Sequence, residues 1–148
     1  MKLRIALFIL ASFTAHGHPS AEPGTAAFGS YFTTVIRVPH GCTGSSTTKV
    51  DVKISEDISH VKAHRVPGWK LDVVYRDNDN ATALKLGENR TVDTLTWTAL
   101  TEADYLPDNM FEDFGVNMKL PQPSAMKIVY LPTTQTCGNG TSAWVGIP

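Results

Sequence analysis

The chain lacks most of what would mark a membrane protein, a nucleic-acid binder or a familiar enzyme. Beyond its first residues no apolar stretch approaches the roughly 20 residues that a spanning helix needs. Charge of one sign is missing too: 13 Lys and Arg stand against 14 Asp and Glu, a formal net of −1. Nothing in that balance favours nucleic acid or an anionic membrane surface. No G-x-S-x-G elbow, P-loop or dinucleotide fingerprint occurs, so the usual signatures of hydrolases and nucleotide enzymes are absent. There is no internal repeat and no low-complexity tract. Cysteine is scarce, with only Cys42 and Cys137.

What is present begins at the N-terminus. Lys2 and Arg4 precede an apolar run from Ile5 to Phe13, and small residues follow around Ala15-His16-Gly17. Residues Met1 to Gly17 therefore read as a cleaved signal peptide. The remaining 18–148 is one domain's length, enough to bury a proper core. Without Lys2 and Arg4 that domain carries 11 basic and 14 acidic residues, a net of −3. Export implies an extracellular location and an oxidising compartment. There an isolated cysteine pair forms a disulfide, which predicts Cys42–Cys137. Such a bond closes a long loop and constrains the unfolded chain by roughly 4–5 kcal/mol in the entropic model. The competing reading, a copper site using one thiolate, is disfavoured because the pair is even and no methionine follows at cupredoxin-like spacing. Three N-x-[ST] sequons, at Asn80, Asn89 and Asn139, are more than chance supplies and suggest a glycoprotein with those asparagines in surface loops.

Cutting after Gly17 makes His18 the first residue of the mature chain. A terminal histidine offers two nitrogens to one metal, its α-amine and its ring Nδ1. Imidazole suits copper, and divalent copper heads the affinity series for nitrogen and oxygen sites. The expectation is a Cu(II) histidine brace. Cutting after Ala15 also fits the rule and yields His16-Gly17-His18, another copper-binding terminus. The ordinary alternative is that His18 begins a floppy tail.

The body of the chain reads as all-β. Candidate strands are Tyr31–Val38, Thr47–Ile54, Val61–His64, Trp69–Arg76, Thr91–Leu100, Phe111–Lys119 and Lys127–Pro132, with a short last one near Ala143–Val145. Alternation shows in Lys49-Val50-Asp51-Val52-Lys53-Ile54 and in Thr94-Leu95-Thr96-Trp97. Proline, glycine and asparagine punctuate the intervals densely, and Thr101–Tyr105 is the one candidate helical turn. Short strands so spaced predict a single Ig-like or cupredoxin-like β-sandwich. Its loops would let the N-terminus, Pro39–Ser46 and Cys137–Trp144 meet.

Several runs resemble the YcnI-like copper-binding domain. They are His18-Pro19-Ser20-Ala21-Glu22-Pro23, Gly29-Ser30-Tyr31, Arg37-Val38-Pro39-His40-Gly41-Cys42 and Thr47-Thr48-Lys49-Val50. Pro67-Gly68-Trp69, Leu95-Thr96-Trp97, Phe111 to Pro121, Gln135-Thr136-Cys137 and Trp144 continue the succession over the whole mature chain. The resemblance implies an exported β-sandwich that binds one Cu(II) per chain through a mature N-terminal histidine, with a proline five residues later. His18 and Pro23 match that spacing, which favours the cut after Gly17. It also implies a tryptophan near the metal, matching Trp144, and a role in copper acquisition, delivery or tolerance beside a transporter or chaperone. One departure matters. Some members carry a glutamate ligand in the loop after Val-Pro, and here the corresponding slot is Gly41. His40, one residue away, is the candidate replacement.

The other chemistry-bearing residues have plainer readings. Trp69 and Trp97 are expected in the core. His60 and His64 lie on a strand, sharing one face but ~13 Å apart, and are expected to be structural or solvent-facing. Met110, Met118 and Met126 show no M-x-M clustering and are expected to pack in the core. Glu112 and Asp113, near Glu102 and Asp104, should point to opposite faces of a solvated edge. The expected function is non-catalytic copper binding. The alternatives are a copper oxidoreductase resembling a small polysaccharide monooxygenase and a metal-free extracellular interaction module.

Overall fold

The computed structural model describes residues 18–78, 84, 85, 87, 89–122 and 128–145. The leader, Met126 and the sequon at Asn80 lie outside the described residues. Among the described residues nine strands build two sheets: β1 Ser20–Glu22, β2 Tyr31–Val38, β3 Thr47–Lys53, β4 Ser59–Ala63, β5 Trp69–Asp77, β6 Arg90–Ala99, β7 Glu112–Lys119, β8 Thr133–Cys137 and β9 Gly140–Trp144. One sheet runs β1-β2-β7-β4 and the other β5-β6-β3-β8-β9. Every neighbouring pair is antiparallel. The predicted sandwich is the observed fold.

Period-2 patterning explains the layering. Thr34, Ile36 and Val38 of β2 and Phe114, Val116 and Met118 of β7 turn inward from the first sheet. Val50, Val52, Leu95 and Trp97 meet them from the second. Trp97 and Phe114, both fully buried, lie 5.3 Å apart between ring centroids, and Trp69 packs edge-on to Phe114 at 5.0 Å. The indole N–H of Trp97 donates to the His64 carbonyl at 3.0 Å, so its polar atom is satisfied inside the core. Both tryptophans hold the positions expected of them.

Three expectations change. The strand expected over Lys127–Pro132 is replaced, over its described part, by a crossing segment, and the ladder begins at Thr133. Pro132 has no N–H to give a ladder; its carbonyl accepts from the Lys53 N–H at 2.9 Å. Met110 is exposed, so of the described methionines near the later strands only Met118 packs in the core. Glu112 and Asp113 pair with β2 on one side and extend past the reach of β4 on the other, but Asp113 is not simply solvated: it is bonded through both oxygens to Arg37. His60 and His64 share the outer face, as expected: His60 lies against the exposed Tyr31 ring and His64 over Gly115, although a bulge lies between Ser59 and Lys62 and His60 takes φ +53°. Both histidines are solvent-exposed, as expected. The turn expected near Thr101 is a single 3-10 turn, Glu102–Asp104, in which Thr101 donates its hydroxyl to the Asp104 carboxylate at 2.6 Å.

Candidate metal centre

The first sheet ends in β1 and the second in β9, and both edges lie beside the β2–β3 loop. β1 is three residues long, and its side chains are all exposed. It is held on β2 in the register Ser20↔Arg37, Ala21↔Ile36 and Glu22↔Val35. Continued outward by two residues, that register sets His18 level with Pro39, the chain neighbour of His40. The His18 ring leaves its own sheet and packs against Trp144 of β9, centroids 4.5 Å apart and planes at 78°. His18 is exposed on its other side. The indole Nε1 of Trp144 is buried and has no hydrogen-bond partner. An unpaired buried donor is costly and marks a place where the local structure accommodates something other than packing.

The loop carrying His40 is pinned from below. Gln135, fully buried on β8, donates from Nε2 to the His40 carbonyl and to the Thr47 hydroxyl, both at 2.7 Å. The Cys42–Cys137 disulfide is formed, with Cα atoms 6.0 Å apart, across a sequence separation of 95 residues. Ser142 of β9 approaches the Cys42 sulfur at 3.9 Å, and the Asn139 side chain donates to the Cys42 carbonyl at 3.2 Å. Cys42 and Ser45 also exchange backbone bonds of 2.7 and 3.1 Å, closing a tight turn. Gly41 precedes that turn and lies against its closing residue. A Cβ there would lie 2.2 Å from the Ser45 carbonyl oxygen, so no side chain, and no carboxylate, fits at this position.

His40 is half-buried, and its Nδ1 bonds the Gly41 carbonyl. A carbonyl can only accept, so this bond is made by a protonated Nδ1, and in the neutral ring with that tautomer Nε2 carries the lone pair. That is the tautomer a metal-binding imidazole needs, fixed by a backbone partner. A carboxylate approaches the same ring from another loop: Asp108 Oδ1 is 3.9 Å from Nδ1, while its Oδ2 accepts the Gly44 N–H at 3.2 Å. Among the described residues no group of three or more His, Cys, Asp or Glu side chains is placed to hold a metal.

Sequence reasoning placed His18, Trp144, His40 and the disulfide in one region, and the structure brings His18 and Trp144 into contact. It missed Asp108 and Gln135. Asp108 sat in a Pro-Asp-Asn run read only as a turn. Gln135 was masked by a polar strand, Thr133-Thr134-Gln135-Thr136, whose inward positions are themselves polar. Asn89 and Asn139 are exposed, as an N-glycan acceptor must be. Among the described residues no helix is long and apolar enough to cross a membrane.

A crystal structure of an uncharacterized protein from Nocardia farcinica, described as having an immunoglobulin-like fold, superposes with a TM-score of 0.65 at 26% identity, covering 88% of this chain and 83% of that one. No curated protein matches the chain significantly. A family model described as "Domain of unknown function (DUF1775)" matches residues 18–148, so its match opens on His18. The chain belongs to the DUF1775 family.

Proposed function

We propose that this protein is exported, is cut after Gly17, and binds one Cu(II) without turnover. The α-amine and Nδ1 of His18 form the brace, and His40 adds Nε2 as a third nitrogen. The observation that carries this reading is the His18 ring seated on Trp144, beside an indole N–H that is buried and unpaired. An incidental tail would not dock its first ring on another sheet's edge. The start of the family match at His18 supports the same terminus, and the disulfide fits an oxidising compartment.

Each residue's part follows from its surroundings. Trp144 cannot act as a σ-donor while its N–H is protonated; it shields one side of the metal and fixes the His18 ring. Pro19 has no backbone N–H, so the first peptide nitrogen cannot become a deprotonated ligand. His40 stands in for the carboxylate that Gly41 cannot carry. Its tautomer is set by the Gly41 carbonyl. Water completes the coordination, which leaves the ion open to exchange and suits sequestration, acquisition or delivery to a transporter or chaperone.

The test is Cu(II) titration of protein beginning at His18, followed by electron paramagnetic resonance with resolved nitrogen hyperfine structure. A companion protein carries one extra residue before His18. The expected result is one tight equivalent with a nitrogen-rich spectrum, lost in the extended protein. Weak binding that ignores the extension sinks the copper reading.

A further inference from the structure

β1 begins two residues after the candidate ligand His18, yet it buries nothing: all three of its residues are exposed, and it pairs with β2 on one side only. A strand that short gains little from its ladder. Its hold must come from polar contacts, and these converge on Arg37. The guanidinium Nη1 donates to Glu22 of β1 at 2.8 Å. Its Nε and Nη2 donate to the two oxygens of Asp113 on β7 at 2.8 and 2.7 Å, a bidentate fork. The Phe111 ring lies under the same guanidinium at 4.6 Å. Glu22 in turn accepts from the Ser20 hydroxyl at 2.9 Å. Just beyond the strand, Thr34 donates to the Pro23 carbonyl at 2.8 Å.

We infer that Arg37 is the positioning residue of the metal centre. It is held flat and in place by Asp113 and Phe111, and it grips Glu22, so that β1 presents His18 to Trp144 at a fixed distance. The inference rests on the copper reading for its consequence but not for its geometry. The same fork explains why arginine rather than lysine is needed: one planar group must serve two carboxylates on two strands at once. The Arg37 and Glu22 side chains are 35% and 48% exposed, so added salt screens the grip. Copper affinity therefore carries an ionic-strength dependence that passes through Arg37.

Glu22→Gln and Arg37→Gln test this, with Arg37→Lys beside them. Glu22 sits on a wholly exposed strand, so its variant leaves the core intact even if Arg37→Gln perturbs β2. The first readout needs no metal. The His18 ring protons lie against the Trp144 indole and should show ring-current-shifted NMR resonances, assigned by their loss in His18→Ala. Both Gln variants should lose at least half of that shift, and Arg37→Lys should recover only part of it. The second readout is Cu(II) affinity by competition titration, expected to weaken about tenfold, as for loss of a partner that orients a ligand. In sodium perchlorate the wild-type affinity should fall between low and high salt, and that of Arg37→Gln should not. Unchanged ring shifts in both Gln variants, with affinities within twofold of wild type, overturn the assignment. If wild type itself binds no copper, the copper reading fails while the ring shifts still decide whether Arg37 sets the terminus.

Discussion

The core and the N-terminal edge are built by opposite means. Between the sheets, Trp97, Phe114, Val50, Val52 and Val116 are buried outright, and packing alone fixes them. At the edge, β1 buries none of its side chains and is held to β2 by its short ladder, by Arg37 on Glu22 and, just beyond the strand, by Thr34 on the Pro23 carbonyl. Burial gives strength without adjustability. Polar tethers give placement that water, salt and a bound ion can all modulate. A site that must take up and release an ion belongs at the weaker end of the molecule, where local opening costs less than global unfolding.

The comparison breaks most visibly in the core. Phe114→Ala removes the ring that touches both Trp69 and Trp97. The expected loss is about 3–5 kcal/mol of unfolding free energy, read as a shift in the urea midpoint. The edge should fare differently: Glu22→Gln should leave that midpoint nearly unmoved while displacing His18. A Phe114→Ala protein as stable as wild type would mean that the sheets repack freely, and the contrast between core and edge would fall.

The disulfide stands between the two regimes. It ties the loop that bears His40 to the β8–β9 hairpin that bears Trp144, and it also crosses 95 residues of chain. Replacing both cysteines with serine should cost about 4–5 kcal/mol through the unfolded state in the entropic model. It should also loosen the site, since Cys42 lies two residues from His40. Copper affinity and thermal midpoint should therefore fall together in this variant, whereas the edge variants move affinity alone. Equal copper affinity with and without the bond would show that Gln135, through its bond to the His40 carbonyl, suffices to hold the loop.

How much of this was legible in the sequence follows the same division. Strands with a buried face announce themselves by alternation, and Tyr31–Val38 came out at its observed bounds. The candidate ligands were legible because the leader-like pattern ends on a histidine, and the chemistry proposed for His18 depends on its place in the chain before it depends on the fold. What stayed hidden was polar and long-range. β1 reads Ser-Ala-Glu and has no buried face, so no periodicity marks it. β8 was displaced by the more apolar run before it, because its inward residues Thr133 and Gln135 spend their polarity on bonds that only the fold supplies. The Arg37 fork joins residues 15 and 76 positions apart, a pairing that local pattern cannot encode. The exclusion at Gly41 needed the Ser45 carbonyl to be seen beside it.

The smallest expected effect separates two charge clusters of similar composition. On the second sheet Asp93 accepts from Lys53 at 2.6 and 2.7 Å, from the Thr94 hydroxyl at 2.8 Å and from Arg76 at 3.1 Å. Lys53 first, then Thr94 and Arg76, hold its carboxyl down from 3.8 to about 2 against the opposing effect of burial. A folded value below the ordinary one means stability that is complete above pH 4 and is lost as pH falls towards 2. Asp93→Asn should flatten that part of the acid-unfolding curve and cost on the order of 1 kcal/mol near neutrality, with copper affinity untouched, because the cluster touches neither His18, His40 nor Trp144. The Arg37 cluster predicts the reverse pattern: little change in stability and a large change at His18. If Asp93→Asn shifts the His18 ring resonances as Glu22→Gln does, ion clusters in this sandwich act at long range, and the division between a packed core and a tethered site does not hold.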